Sequence, residues 1–197
     1  MSGERDDDAV VADIRSSLQA AAESLEAGHA HDEALARFMP ASRALLVMRK
    51  PALIPLGRVW RLGVFLLGGS QERSSQVGVS AASGVPRGRN VALYATGEAT
   101  RAVDPLYPGF QSVSAEARRD YRGAAFRGPF ERGETVNFEA PVLELDADSL
   151  RSSSGPLLLR DGEAWVRWAA TIDAATVPFD AYLAERVDLL VHPPQGA

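Results

Sequence analysis

The dipeptide Asp161-Gly162 constrains this chain's fold more than any other feature. It joins two β-type runs in the stretch LLLRDGEAWVRW. A two-residue hairpin loop of type I′ needs positive φ at both central positions, and Asp-Gly adopts that geometry readily. The two runs must then pair antiparallel, so part of the chain is built from hairpins. Alternation in the second run sets Trp165 and Arg167 on one face and Val166 and Trp168 on the other.

Helical periodicity marks both ends and the middle. In Asp6–Ala27, residues Val10, Ile14, Leu18, Ala21 and Leu25 recur three and four apart and form one apolar stripe. Asp6, Asp7 and Asp8 favour the positive end of that helix, and Gly28 is its expected C-cap. Glu33–Phe38 is expected to be a short second helix, capped by Asp32 and stopped by Pro40. Ser114 is expected to cap a helix over Ala115–Ala125, with Glu116 in its first turn. Phe179–Leu190 is the last predicted helix, packing through Phe179, Leu183, Val187 and Leu190.

The β-type runs lie between these helices. Leu45–Met48 and Val59–Leu67 are separated by Pro51 and Pro55, which keep the connection out of a central strand. Residues 68–90 read as a long Gly/Ser/Arg-rich loop, with a short strand at Gln76–Ser80. In Val91–Val103, polar Tyr94, Thr96, Glu98 and Thr100 alternate with small Leu93, Ala95, Gly97 and Ala99, as in a half-buried antiparallel strand. The turn pairs Asp104-Pro105 and Pro108-Gly109 end it. The stretch from Arg118 to Leu145 starts as helix, passes Gly128-Pro129 and continues as two expected strands turning at Arg132-Gly133.

No internal repeat and no linker interrupts the 197 residues, a length at the upper end of single-domain size. The expectation is one α+β domain over residues 1–197. Its sheet would be curved and antiparallel or a partly closed β-barrel, with an N-terminal, a mid-chain and a C-terminal helix.

Composition narrows the chemistry. With no cysteine, disulfides, thiolate metal sites and cysteine nucleophiles are excluded together. The net charge of −5 argues against a generic nucleic-acid or anionic-membrane binder. The longest strongly apolar run, Leu62–Leu67, falls far short of the roughly 20 residues that span a bilayer. The start MSGERDDDAV is acidic and polar, unlike a secretory signal, so a cytoplasmic location is expected. The chain lacks GxGxxG after a strand, a P-loop, GxSxG and HExxH, so no cofactor is expected. Only His29, His31 and His192 are present, too few for a Ser-His-Asp triad or a His-rich metal site to be expected. Glu98, Asp104 and Glu139 are candidates for carboxylate chemistry, which assembles only in three dimensions.

What remains is a segregation of charge. Residues 1–40 hold nine acids and three bases (−6), residues 41–132 six acids and fourteen bases (+8), and residues 133–197 eleven acids and four bases (−7). Lys50 is the single lysine against twenty arginines, a bias that a GC-rich bacterial genome produces, so only the placement of the arginines is informative. Opposite segments can pair on the surface at roughly 0–1 kcal/mol per pair. Alternatively, the basic middle lines an anion-receptive concavity. Arg118 and Arg122 stand at i, i+4, where like charges repel, and Glu116 can pair with Arg119, leaving both without a local carboxylate.

The candidate ligand-binding residues are therefore Arg118, Arg122, Arg127 and Asn137, serving a small anionic ligand in a binding or regulatory module. Two alternatives stand beside it. One is an enzyme using a carboxylate such as Glu98 with an arginine clamp. The other is a homo-oligomer, signalled by an apolar patch over Trp60 or Trp165.

Overall fold

The computed structural model describes residues 6–44, 47–68, 91–105, 113–169 and 175–194. In chain order the elements are α1 (Asp7–Ala27), β1 (Glu33–Met39), β2 (Ser42–Ala44), β3 (Val47–Arg49), β4 (Ala52–Leu62), β5 (Phe65–Gly68), β6 (Ala92–Ala95), β7 (Glu98–Arg101), α2 (Val113–Arg127), β8 (Thr135–Phe138), α3 (Ala147–Arg151), β9 (Leu157–Arg160), β10 (Glu163–Arg167), β11 (Thr176–Pro178) and α4 (Phe179–Val191). The fold is α+β, and its described residues form two compact units. The predicted loop at residues 69–90, with its strand at Gln76–Ser80, and the Pro108-Gly109 turn lie outside the described residues.

The first unit comprises residues 1–31, 62–95 and 142–197. The stripe on α1 behaves as its spacing predicts: Val10, Ile14, Leu18, Ala21 and Leu25 are all buried, and Asp6 caps the helix by accepting from the Asp8 amide. Gly28 ends α1 in a right-handed conformation, and the positive φ falls on His29 instead. The Asp161-Gly162 hairpin forms as expected, with φ of 56° and 68°, pairing β9 with β10; β11 extends the sheet on the other side of β10. Helix α4 buries Phe179, Tyr182 and Leu183, and both aromatic rings meet Phe65 of β5 edge-on. Strands β5 and β6 pair antiparallel in the same unit.

The second unit, residues 32–61 and 96–141, carries four strands of one sheet in the order β4-β1-β8-β7, together with the separate antiparallel pair β2 and β3. Three corrections to the sequence reading fall here. First, Glu33–Phe38 is strand and not helix. Six residues cannot hold an isolated helix, and tertiary pairing overrides the helix preference of Glu, Ala, Leu and Arg. β1 is paired on both sides, so Ala34, Leu35 and Ala36 are all buried. Secondly, Pro55 lies inside β4. Opposite it, Leu35 faces Gly57 and Ala36 faces Pro55, so Leu56 is an extra, bulged residue that lets the strand accommodate a residue without an amide proton. Thirdly, Val91–Val103 is two strands in different units, broken at Thr96-Gly97. A Cβ on Gly97 would overlap the backbone of Glu139, so the glycine permits a close approach of two segments of the chain.

One pairing departs from the expected curved antiparallel sheet or partly closed barrel. β1 runs parallel to β8, aligning Ala34 with Val136 and Leu35 with Asn137, whereas β1–β4 and β7–β8 are antiparallel. The sheet is mixed and open. No strand lies between α2 and Gly133, whose φ is 84°; Gly128–Glu134 forms turns, closed by the Glu134 amide donating to the Glu131 carbonyl at 3.1 Å. Only the second of the two expected strands, β8, is made. Helix α2 covers one sheet face, where Ala124 and Ala125 pack with Ala34, Ala36, Val136 and Phe138. Ser114 lies within α2, not before it. Among the described residues, no helix is long and apolar enough to cross a membrane.

Candidate functional site

The helix face that α2 turns toward the sheet is small: Ala124 and Ala125 are buried, and Tyr121 packs edge-on against Phe38 with ring centres 4.8 Å apart. Tyr121 also meets Phe138 at 4.8 Å. This contact fixes the helix rotation, so Arg118 and Arg122, three before and one after Tyr121, remain exposed on the flank toward β7. Strand β7 lies alongside, beyond β8. Helix and strand together line an open cavity of about 410 Å³, walled by Glu98, Thr100 and Arg101 from β7 and by Arg118, Tyr121 and Arg122 from α2. Ala99, Val103 and Thr135 complete it.

Charge distinguishes this cavity from the rest of the unit. Three arginines and one glutamate face it, and none of Arg101, Arg118 and Arg122 makes an ion pair among the described residues. The expected Glu116–Arg119 pair is also absent among the described residues. Two other arginines of the unit, Arg58 and Arg61, are committed to carboxylates. Arg58 bridges Asp32, at 2.7 Å, and Glu134; the Asp32 hydrogen bond above all holds its guanidinium higher than its already high range. Asp32 thus anchors an arginine in place of capping a helix.

Of the four residues selected from sequence, the structure brings two together. Arg118 and Arg122 share the cavity. Arg127 does not line it; its guanidinium packs over Gly123 and donates to the Pro51 carbonyl at 2.8 Å. Asn137 does not line it either. It is 1% exposed, donates to the Glu33 carboxylate at 2.7 Å and the Ala34 carbonyl at 3.2 Å, and accepts from Arg61. Arg61 in turn reaches Glu33 at 3.2 Å, so the triad closes on itself. A buried polar group satisfied on every side is a structural network.

Arg101 is the cavity residue that the sequence did not single out. It lies in β7, and its proximity to α2 is a tertiary fact with no local pattern to announce it. Of the candidate carboxylates, Glu98 lines the cavity while Asp104 and Glu139 do not. Among the described residues, no group of three His, Asp or Glu side chains could hold a metal. His29 and His31 are exposed, and His192 contacts Asp188 at 2.9 Å. Trp60 is buried, and Trp165 is half-buried beneath the Arg160 guanidinium, 5.1 Å from its ring. No protein-family model, no curated protein and no solved structure matches the chain.

Proposed function

We propose that this protein is a binding or regulatory module for a small anionic ligand, held between β7 and α2. One contrast carries the reading. Arg58 and Arg61 are neutralised by carboxylates, whereas Arg101, Arg118 and Arg122 share a cavity with a net positive wall and no ion pairs among the described residues. Like charges at i, i+4 cost a few tenths of a kcal/mol. An anion between them reverses the sign, because guanidinium forks donate paired hydrogen bonds to carboxylate and phosphate oxygens. The volume of about 410 Å³ falls within the roughly 300–1,000 Å³ usual for small-ligand sites.

A second reading, an enzyme, is favoured by one observation: Glu98 lines the same cavity and supplies a carboxylate beside the arginines. A panel of sulfate, phosphate and small carboxylates at matched ionic strength tests the site by thermal shift. A bound anion raises the melting temperature by mass action, and Arg118→Gln with Arg122→Gln abolishes the rise while the fold survives. Equal shifts for every anion, or equal shifts in both proteins, reject the site. Enzymatic action would further show as conversion of the stabilising anion, stopped by Glu98→Gln.

A further inference from the structure

We propose that the ligand of this cavity is an acidic peptide segment in extended conformation, which adds a strand to β7; the inference rests on the anion-binding reading above and names its ligand class. The cavity is a groove between a strand at the end of a sheet and a helix. Among the described residues β7 is paired on one side only, by β8. The ladder determines which main-chain groups are left over. The Ala102 amide donates to the Glu134 carbonyl at 2.9 Å and the Gly133 amide donates to the Ala102 carbonyl at 3.1 Å, so Ala102 faces β8. Main-chain groups of an antiparallel strand alternate in direction, which turns Thr100 toward β8 as well and turns Ala99 and Arg101 away from it. The Arg101 carbonyl is taken by the Val103 amide at 2.8 Å. The Ala99 amide, the Ala99 carbonyl and the Arg101 amide then point away from β8, along the edge whose residues line the groove.

Two further features fit an added strand. Ala99 is exposed and has the smallest side chain that β7 carries, so it leaves this edge accessible. The charges are also spaced for an extended chain. Alternate residues of a strand project on one side about 6.6–6.8 Å apart, and i, i+4 residues on a helix are separated by about 6 Å along its axis. Glutamates at alternate positions of a peptide running alongside α2 therefore meet Arg118 and Arg122 together. Main-chain bonds supply affinity in such strand addition and alternate side chains supply selectivity. A bare inorganic anion would use the arginines but leave the three main-chain groups unpaired.

The test is fluorescence anisotropy with a short labelled peptide of alternating glutamate and valine. Two comparison peptides replace glutamate by glutamine or carry N-methyl groups at alternate amides. The native protein should bind the acidic peptide and lose the glutamine version. N-methylation should weaken binding by roughly tenfold or more, the usual consequence of lost main-chain bonds. Ala99→Pro should weaken it similarly while keeping the melting temperature, since proline is tolerated where an edge amide faces outward. Should that variant fail to fold, the N-methylated peptide decides the matter on the unmodified protein. Equal binding of methylated and unmethylated peptides overturns strand addition. A sulfate response suppressed in Arg118→Gln, Arg122→Gln, with no peptide binding, overturns this inference and leaves the small-anion reading standing. No response to either ligand removes both.

Discussion

The hydroxyl of Tyr182 occupies the space that a side chain on Gly63 would need. A Cβ built on Gly63, whose φ is +65°, would overlap that hydroxyl more closely than real Cβ atoms approach any neighbour. The same oxygen accepts from the Val64 amide at 2.9 Å and donates to the Leu62 carbonyl at 3.3 Å. One phenol on α4 therefore satisfies both sides of the turn that leads into β5, and only glycine lets it come so near.

This relationship predicts non-additive mutants. Gly63→Ala should destabilise by about 1–3 kcal/mol from the strained backbone, with displacement of the hydroxyl on top. Tyr182→Phe should cost about 1–3 kcal/mol by leaving the Val64 amide without its acceptor. The double variant should cost less than the two singles combined, because removing the hydroxyl relieves the overlap. Urea unfolding of the four proteins measures this, and strict additivity would show that the two residues do not meet.

The elements that local chemistry determines were legible beforehand. Asp161-Gly162 carries its own turn geometry, and the α1 stripe carries its own periodicity, so both appear where expected. β1 was not legible, because Glu33–Met39 contains good helix formers and becomes strand only by pairing with β4 and β8. Tyr182, three residues after Phe179, is not among the packing residues expected for α4, and what it does depends on a turn more than a hundred residues earlier.

The Asn137 network yields a second prediction. Asn137→Ala should cost about 1–3 kcal/mol, since it strips the Ala34 carbonyl and the Glu33 and Arg61 side chains of a shared partner. Arg61→Ala acts on the same network, so the pair of changes should show a coupling of about 0.5–3 kcal/mol in a double-mutant cycle. The anion response should be unaffected in Asn137→Ala, because the residue does not line the cavity. Loss of that response in a folded Asn137→Ala protein would return Asn137 to the binding site.

The candidate site divides along the same line between local and tertiary information. The i, i+4 pair Arg118 and Arg122 is visible on a single helix, and it reaches the cavity intact. Arg127 and Asn137 lie outside that i, i+4 pattern. One packs back over Gly123, and the other is buried beneath Arg61 and Glu33. Arg101 could not be chosen, because β7 and α2 meet only once the sheet has formed.

The N-cap of α3 gives a pH-dependent prediction. Asp146 accepts from the Ser149 amide at 2.9 Å, and that backbone hydrogen bond, first among several causes, holds its carboxyl below the ordinary range. The ordinary aspartate value, about 3.9, applies to the unfolded chain. Because the folded value is the lower of the two, the folded state favours the ionised form. The resulting stabilisation is complete above the unfolded value and is lost as the pH falls through it toward the folded value. Asp146→Asn retains an oxygen that can cap the helix but cannot ionise. The wild type should therefore be more stable than Asp146→Asn near neutral pH, and the gap in melting temperature should narrow as the pH falls from about 5 through the unfolded value of about 3.9. Melting curves of both proteins across that range test the point. A gap that stays constant would mean the cap works without its charge, and a gap that widens in acid would mean the carboxyl is shifted upward instead.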